Sequence, residues 1–190
     1  AVDIAYDSER LPRPDGRMHA ALQTGVAVDL PGARLVHDHP YGVSEVRAGV
    51  YVFHDLVMAG IGVCRPEDIA LSVLTTVIGH QRDKGWVLVD AGWMALSRDR
   101  GTQAQPLDQG YGAVCDAAGG LLDGWIVAQA NQEHGIVAHR GGAAAAGDVA
   151  ARFPLGARLR VLPNHACATG AQHARYAVVE GDTVRQLWPR

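Results

Sequence analysis

From Val43 onward the chain reads as short apolar runs broken by glycines and polar turns. Trp86-Val87-Leu88-Val89, Trp125-Ile126-Val127-Ala128, Gly135-Ile136-Val137-Ala138 and Arg158 to Leu162 are dense in the β-branched and aromatic residues that suit a pleated, half-buried surface, and each is predicted as a strand. Val50 to Leu56 has the same texture and is predicted as a further strand, with Tyr51 and His54 on its opposite faces. Tyr176 to Val179 and Val184 to Trp188, joined across Gly181-Asp182, predict a hairpin. Pro66-Glu67-Asp68 resembles the acidic first turn of a helix, and Ile69, Val73 and Val77 would line a helical stripe. With strands on either side and Gly79 closing the run, a short turn followed by a strand over Val73 to Ile78 is the better fit. Gly141 to Gly147 sets four alanines between glycines, too few to nucleate a helix, and is expected to be a surface loop. The whole pattern is mainly β, a barrel or sandwich of short strands.

Residues 1–42 are rich in Pro, Gly, Asp and Arg and show no sustained period, so they are read as a largely irregular arm or the remnant of a neighbouring domain, with residues 43–190 as the β-domain. His37 and His39 fall in that arm, before Pro40, and are expected to be exposed. A net charge of -3 and a pI near 6.3, without a basic run, argue against a nucleic-acid partner. No apolar span is long enough for a membrane helix, and Cys64, Cys115 and Cys167, odd in number and far apart, fit a reducing compartment, so a cytoplasmic protein is expected. The chain does not begin with methionine, which makes a missing leader weak evidence. Its one lysine, Lys84, sits in Arg82-Asp83-Lys84-Gly85, an exposed turn by pattern, so a buried Schiff-base lysine has no candidate here.

Three stretches could carry chemistry. In Pro163-Asn164-His165-Ala166-Cys167 an imidazole and a thiol stand two positions apart, on one side of an extended backbone, where nitrogen and sulfur can converge on a zinc ion. The competing reading is a hydrogen-bonded histidine beside an inert, buried thiol. In Asn131-Gln132-Glu133-His134-Gly135, Glu133 and His134 could move a proton, or the segment is a polar turn. Asp90-Ala91-Gly92 with Ser97-Arg98-Asp99-Arg100-Gly101 is either a buried ion-pair network or a solvated turn. Tyr51 is a further catalytic candidate, with core packing as its default. A thiolate and imidazolium pair of Cys167 with His165 or His134 is the weaker alternative to metal binding, because no flanking sequence suggests a helix start that would lower the thiol pKa.

Taken together, Glu45 to Phe53, Asp68 to Leu74, Val89-Asp90-Ala91-Gly92, Gln132-Glu133-His134-Gly135 and Pro163-Asn164-His165-Ala166-Cys167 resemble, in this order, the D-serine dehydratase and D-threonine aldolase family of pyridoxal-phosphate enzymes, whose fold is similar to alanine racemase. The resemblance spans roughly Val43 to Trp188. It implies that the chain corresponds to the C-terminal β-domain, a barrel or sandwich, which follows a cofactor-bearing barrel. It also implies that His165 and Cys167 are metal ligands, zinc first and manganese or magnesium as alternatives. The implied substrate is a β-hydroxy D-amino acid, dehydrated or cleaved by retro-aldol chemistry, with the cation stabilising negative charge on the β-oxygen. Pyridoxal phosphate would be supplied only by a barrel absent from this chain, and a homodimer is the implied assembly. Lys84 stands in no matching motif, and residues 1–40 do not match the segment that leads into the Val43 block. The chain is then half of a lyase, a partner for a separately supplied barrel, or a non-catalytic β-module that binds a metal or small molecule.

Overall fold

The computed structural model describes residues 3–4, 19–21, 27–29, 47–48, 50–181 and 183–190, the first four segments and Tyr51 by their backbone alone. The expectations for His37, His39, the Tyr51 side chain and most of residues 1–42 therefore lie outside the described residues. Within 1–42 the described residues form short strands at Asp3–Ile4, His19–Ala21 and Ala27–Asp29; the last two pair antiparallel, and the first runs parallel to Arg47–Ala48.

Six antiparallel strands close into a barrel: β1 (Val73–Gln81), β2 (Trp86–Val89), β3 (Ala113–Asp116), β4 (Leu121–Ala130), β5 (Gly135–His139) and β6 (Arg158–Leu162). The order is β6-β1-β2-β5-β4-β3, and closure follows because β6 pairs with both β1 and β3. Alternation along β2 and β5 sends Val87, Val89 and Val137 inward to complete burial, beside Val77, Val114, Val127 and Val161. Each such side chain contributes about 1.5–3 kcal/mol of transfer free energy. Trp125 fills one end of this core, edge-on to Phe153 at 4.7 Å between ring centroids. The strand predicted over Val73 to Ile78 is β1, preceded by a 3-10 turn at Pro66–Asp68. Its ladder slips between Val77 and Gly79, so the glycine marks an irregularity inside the strand and not its end.

Among the described residues five short helices decorate the barrel: α1 (Leu56–Gly60), α2 (Trp93–Leu96), α3 (Gly142–Ala146), α4 (Val149–Arg152) and α5 (Ala166–Gly170). Two of them correct the sequence reading. Val50 to Leu56 is not a strand: a 3-10 turn covers Val50–Val52, His54 takes a positive φ of 54°, and Asp55 caps α1 by accepting the Met58 N–H. The opposite-face argument for Tyr51 and His54 therefore has no strand to rest on. The β-branched composition was overridden by long-range bonds, in which Leu56 N–H donates to Pro163 O and Val57 N–H to Asn164 O. Gly141 to Gly147 is likewise not a loop, because α3 packs Ala146 into the barrel core. A Cβ at Gly85 would sit 2.8 Å from the Ala143 Cα, so the glycine lets this alanine turn lie flat on the β1–β2 connection.

The C-terminal hairpin is as predicted. β7 (Arg175–Glu180) and β8 (Thr183–Pro189) form a separate two-stranded sheet with a bulge at Val178/Val179. The Tyr176 ring lies 5.4 Å from that of Phe53 and ties the hairpin to the α1 region. Among the described residues no helix is long and apolar enough to cross a membrane.

Candidate metal centre

β6 ends at Leu162, and the chain passes through Pro163 and Asn164 into α5, with His165 as the N-cap residue at φ -136° and ψ 107°. An N-cap side chain ordinarily satisfies the first turn of its own helix. The His165 imidazole does not; its Nδ1 lies 3.0 Å from Asp99 Oδ2. With Nδ1–H donating to that carboxylate, Nε2 is the basic nitrogen of the neutral ring, the arrangement that orients and strengthens a metal-binding histidine.

Cys167 is the second residue of α5 and is exposed, whereas Cys64 and Cys115 are buried. Three sequence expectations change here. The pair is not carried on a continuous extended strand, because only His165 is extended and Cys167 lies in a helical turn. The inert buried thiol is also ruled out for Cys167, and the objection that no helix start lies beside it falls. Burial, followed by the Asp116 charge, pushes the Cys115 thiol up to about 11. At pH 7.5 iodoacetamide is therefore expected to label Cys167 in the folded, metal-free chain and to reach Cys64 and Cys115 only on unfolding. Peptide mapping that finds Cys115 labelled as fast as Cys167 would contradict the closed barrel.

The approach to the pair is fixed by three polar side chains. Asn164, 2 % exposed, donates through Nδ2 to Asp99 O at 2.9 Å and Gly110 O at 2.7 Å, and accepts from Thr102 Oγ1 at 3.1 Å. Asp55, 1 % exposed, accepts from the Ala166 N–H at 3.0 Å and the Met58 N–H at 3.0 Å. Burial raises its carboxyl above the usual value, opposed by those two N–H groups and by His165. Asp99 belonged to a charge run read either as a buried ion-pair network or as a solvated turn, and the structure gives half-buried pairs, between the two readings. Asp99 meets His165, Arg100 pairs with Asp108 at 2.6 Å, and the Arg98 guanidinium lies 3.9 Å from the Trp93 ring centroid. Asp55 and Asn164 carried no chemical signal in the sequence beyond their residue type.

Glu133 and His134 lie in the β4–β5 connection. Glu133 accepts from Gln132 Nε2, and His134 Nε2 pairs with Asn131 Nδ2, so their side-chain hydrogen bonds are made within the hairpin and not to His165 or Cys167. The backbone of that hairpin does more: Asn131 O and Gln132 O accept the N–H groups of Trp93 and Met94 at the start of α2. Asp90 clips β1 to β2. Its partial burial works against ionisation, but bonds from Thr76 N–H and Thr75 Oγ1, both at 2.7 Å, hold its carboxyl below the usual value.

An imidazole braced by a carboxylate and an exposed thiol, one residue apart, fit zinc as a donor set. Among the described residues no group of three or more His, Cys, Asp and Glu side chains could hold a metal. Pyridoxal phosphate does not fit this chain. Lys84 is exposed in the Arg82–Lys84 turn, with its ammonium 4.4 Å from the Trp86 ring centroid.

Residues 70–179 match the family model described as a putative serine dehydratase domain. The D-threo-3-hydroxyaspartate dehydratase of Delftia sp. (strain HT23) is 65% identical over 149 residues, covering 78% of this chain and 39% of that protein. Its solved structure superposes with a TM-score of 0.74 at 62% identity, over 81% of this chain and 40% of that one. The same dehydratase has been solved as a His→Ala variant and as a Cys→Ala variant in the metal-free form, the two replaced residues standing two positions apart. An alanine-racemase-like protein from Idiomarina loihiensis superposes with a TM-score of 0.71 at 51% identity, over 78% of this chain and 38% of that one. An uncharacterised protein of Mycobacterium bovis is 32% identical over 131 residues, 67% of this chain and 86% of its own length. The chain thus spans 39% of the dehydratase it resembles but most of the mycobacterial protein.

Proposed function

Because the chain belongs to the putative serine dehydratase domain family, we propose that residues 43–190 are the metal-binding C-terminal β-domain of a lyase that dehydrates a β-hydroxy D-amino acid. The observation that carries this reading is the His165 and Cys167 pair at the start of α5, with Asp99 on the imidazole. The spacing equals that of the histidine and cysteine replaced in the variants of the D-threo-3-hydroxyaspartate dehydratase, the Cys→Ala one solved in the metal-free form. That relative also favours dehydration over retro-aldol cleavage, and 3-hydroxyaspartate as one substrate of the class. Zinc is the expected ion, since a thiolate disfavours the alternatives manganese and magnesium. When bound, the cation would act as a Lewis acid toward the substrate's β-oxygen.

The chain's own residues hold the donors. Asp99 accepts a hydrogen bond from the Nδ1–H and presents the ring through Nε2, Asn164 anchors the peptide before it, and Cys167 is solvent-accessible, so a small substrate can approach. Two protein ligands leave coordination positions for water and substrate. The cofactor lysine is outside these residues, so turnover requires a lysine-bearing barrel, in the same polypeptide or in a partner subunit, and the setting we propose is cytoplasmic.

The purified chain is expected to carry near-stoichiometric zinc by elemental analysis, and His165→Ala or Cys167→Ala is expected to remove it while the barrel keeps its circular dichroism. Unchanged metal content in both variants would sink the reading. One observation favours a second possibility: the mycobacterial relative is aligned over 86% of its length, so a chain little larger than this domain occurs in the family. A non-catalytic metal- or small-molecule-binding β-module would show no turnover of D-serine or 3-hydroxyaspartate even with a lysine-bearing barrel added.

A further inference from the structure

We infer that Asp55 is a positioning residue for the His165 and Cys167 pair, holding the start of α5 from a point 111 residues before Ala166. The first N–H groups of a helix have no partner within it, and an N-cap side chain usually supplies one. Here the N-cap residue is His165, and its imidazole is turned away to Asp99. A remote acceptor serves this first turn instead: Asp55 Oδ2 accepts the Ala166 N–H, the first of those orphan groups, at 3.0 Å. Its other oxygen, Oδ1, accepts the Met58 N–H at 3.0 Å and caps α1. One buried carboxylate thus caps two helices and joins them.

Ala166 is the single residue between His165 and Cys167, so pinning its N–H fixes the peptide that sets the direction of both side chains. The surrounding backbone repeats the docking. Leu56 N–H donates to Pro163 O at 3.0 Å and Val57 N–H to Asn164 O at 3.3 Å, which places the whole start of α1 against the segment that carries the pair. A site with two protein ligands has no third side chain to correct a misplaced one, so its preorganisation rests on outer partners such as Asp55. The inference rests on the reading of His165 and Cys167 as metal ligands, and its test separates the two.

Asp55→Ser is the discriminating variant. Serine is a good N-cap and keeps the bond to Met58 N–H, but it is too short to reach Ala166. Asp55→Asn, isosteric and with one acceptor oxygen in place of two, is the companion should the serine variant fail to fold. In the metal-free full chain, amide hydrogen exchange over residues 165–170 is expected to speed by about tenfold while β1 exchanges as in wild type. Zinc affinity, measured by competition with a chromophoric chelator, is expected to fall by about 10–100-fold, the usual cost of losing an outer-shell partner. The thiolate-to-cobalt absorption of the cobalt(II) form should change with it, a signature that loosened structure elsewhere would not produce. Wild-type exchange at 165–170, or wild-type zinc affinity with an unchanged cobalt spectrum, would overturn the inference. A wild-type chain that binds neither zinc nor cobalt overturns the metal reading instead, and the exchange measurement then decides Asp55 alone.

Discussion

Asn164→Ala is expected to destabilise the metal-free protein by about 3–4 kcal/mol and to weaken zinc binding at the same time, because it leaves several buried polar groups without partners at about 1–3 kcal/mol each. The Asn164 amide joins three points of the 99–110 segment: Asp99 O and Gly110 O accept its N–H groups, and Thr102 Oγ1 donates to its oxygen. Thr102 is fully buried and also receives the Gln109 N–H, so losing Asn164 leaves that hydroxyl half satisfied with no water to replace the partner. The functional consequence follows from Asp99, which is gripped by two successive residues, through its carbonyl by Asn164 and through its carboxylate by His165. Releasing the first grip frees the second. Asn164→Asp is the sharper control, since it keeps the acceptor but turns an anionic oxygen toward two carbonyls, and it should be at least as damaging as alanine. Urea unfolding of the metal-free chain reads the stability change and chelator competition reads the affinity. A loss below about 1 kcal/mol for Asn164→Ala would mean that water replaces the amide and that the segment is not held as described.

The strands were legible because their signal is local. Val87, Val89 and Val137 alternate with outward residues as a half-buried sheet demands, and the glycine-marked C-terminal hairpin formed where its turn residues stand. The His165 and Cys167 pair was legible as chemistry, but its geometry was not. A five-residue helix at Ala166–Gly170 has too little propensity of its own, and it is capped by Asp55 from a distant part of the chain. The same distance hid Asp99, 66 residues before His165, although the charge run around it was visible. Val50 to Leu56 misled because valine and phenylalanine favour strands only where a neighbouring strand is available to pair with them. Here the partners of residues 56 and 57 are the carbonyls of Pro163 and Asn164, and the chain turns into α1. Asp55 followed by Leu-Val-Met-Ala is the helix-start pattern that could have corrected the strand reading.

Gly92→Ala is expected to cost about 3 kcal/mol, the upper end for overpacking, and to lower the melting temperature by about 6–12 °C in a chain of this size. A Cβ at Gly92 would fall on the carbonyl oxygens of Asn131 and Gln132, backbone atoms that no rotamer change can move aside. Those two oxygens accept the Trp93 and Met94 N–H groups, so the clash also breaks the bonds that seat α2 on the hairpin. On the other side of the same contact, a Cβ at Gly135 would meet Ala91 O at 2.6 Å. Val89-Asp90-Ala91-Gly92 and Gln132-Glu133-His134-Gly135 are therefore joined in one interlocked backbone junction. Its reach extends to the helix that carries Cys167, because Thr169 Oγ1 of α5 donates to Leu96 O at 2.8 Å and His173 Nε2 to Ala95 O at 3.0 Å. Displacing α2 displaces α5 and the Asp99 segment that follows α2. Gly92→Ala should accordingly reduce zinc affinity, while Glu133→Ala, which removes an exposed carboxylate that accepts from Gln132, should change neither stability nor affinity beyond about 0.5 kcal/mol. The reverse ranking in calorimetry and chelator competition would show that this junction acts through the Glu133 carboxylate and not through the close approach that only glycine permits.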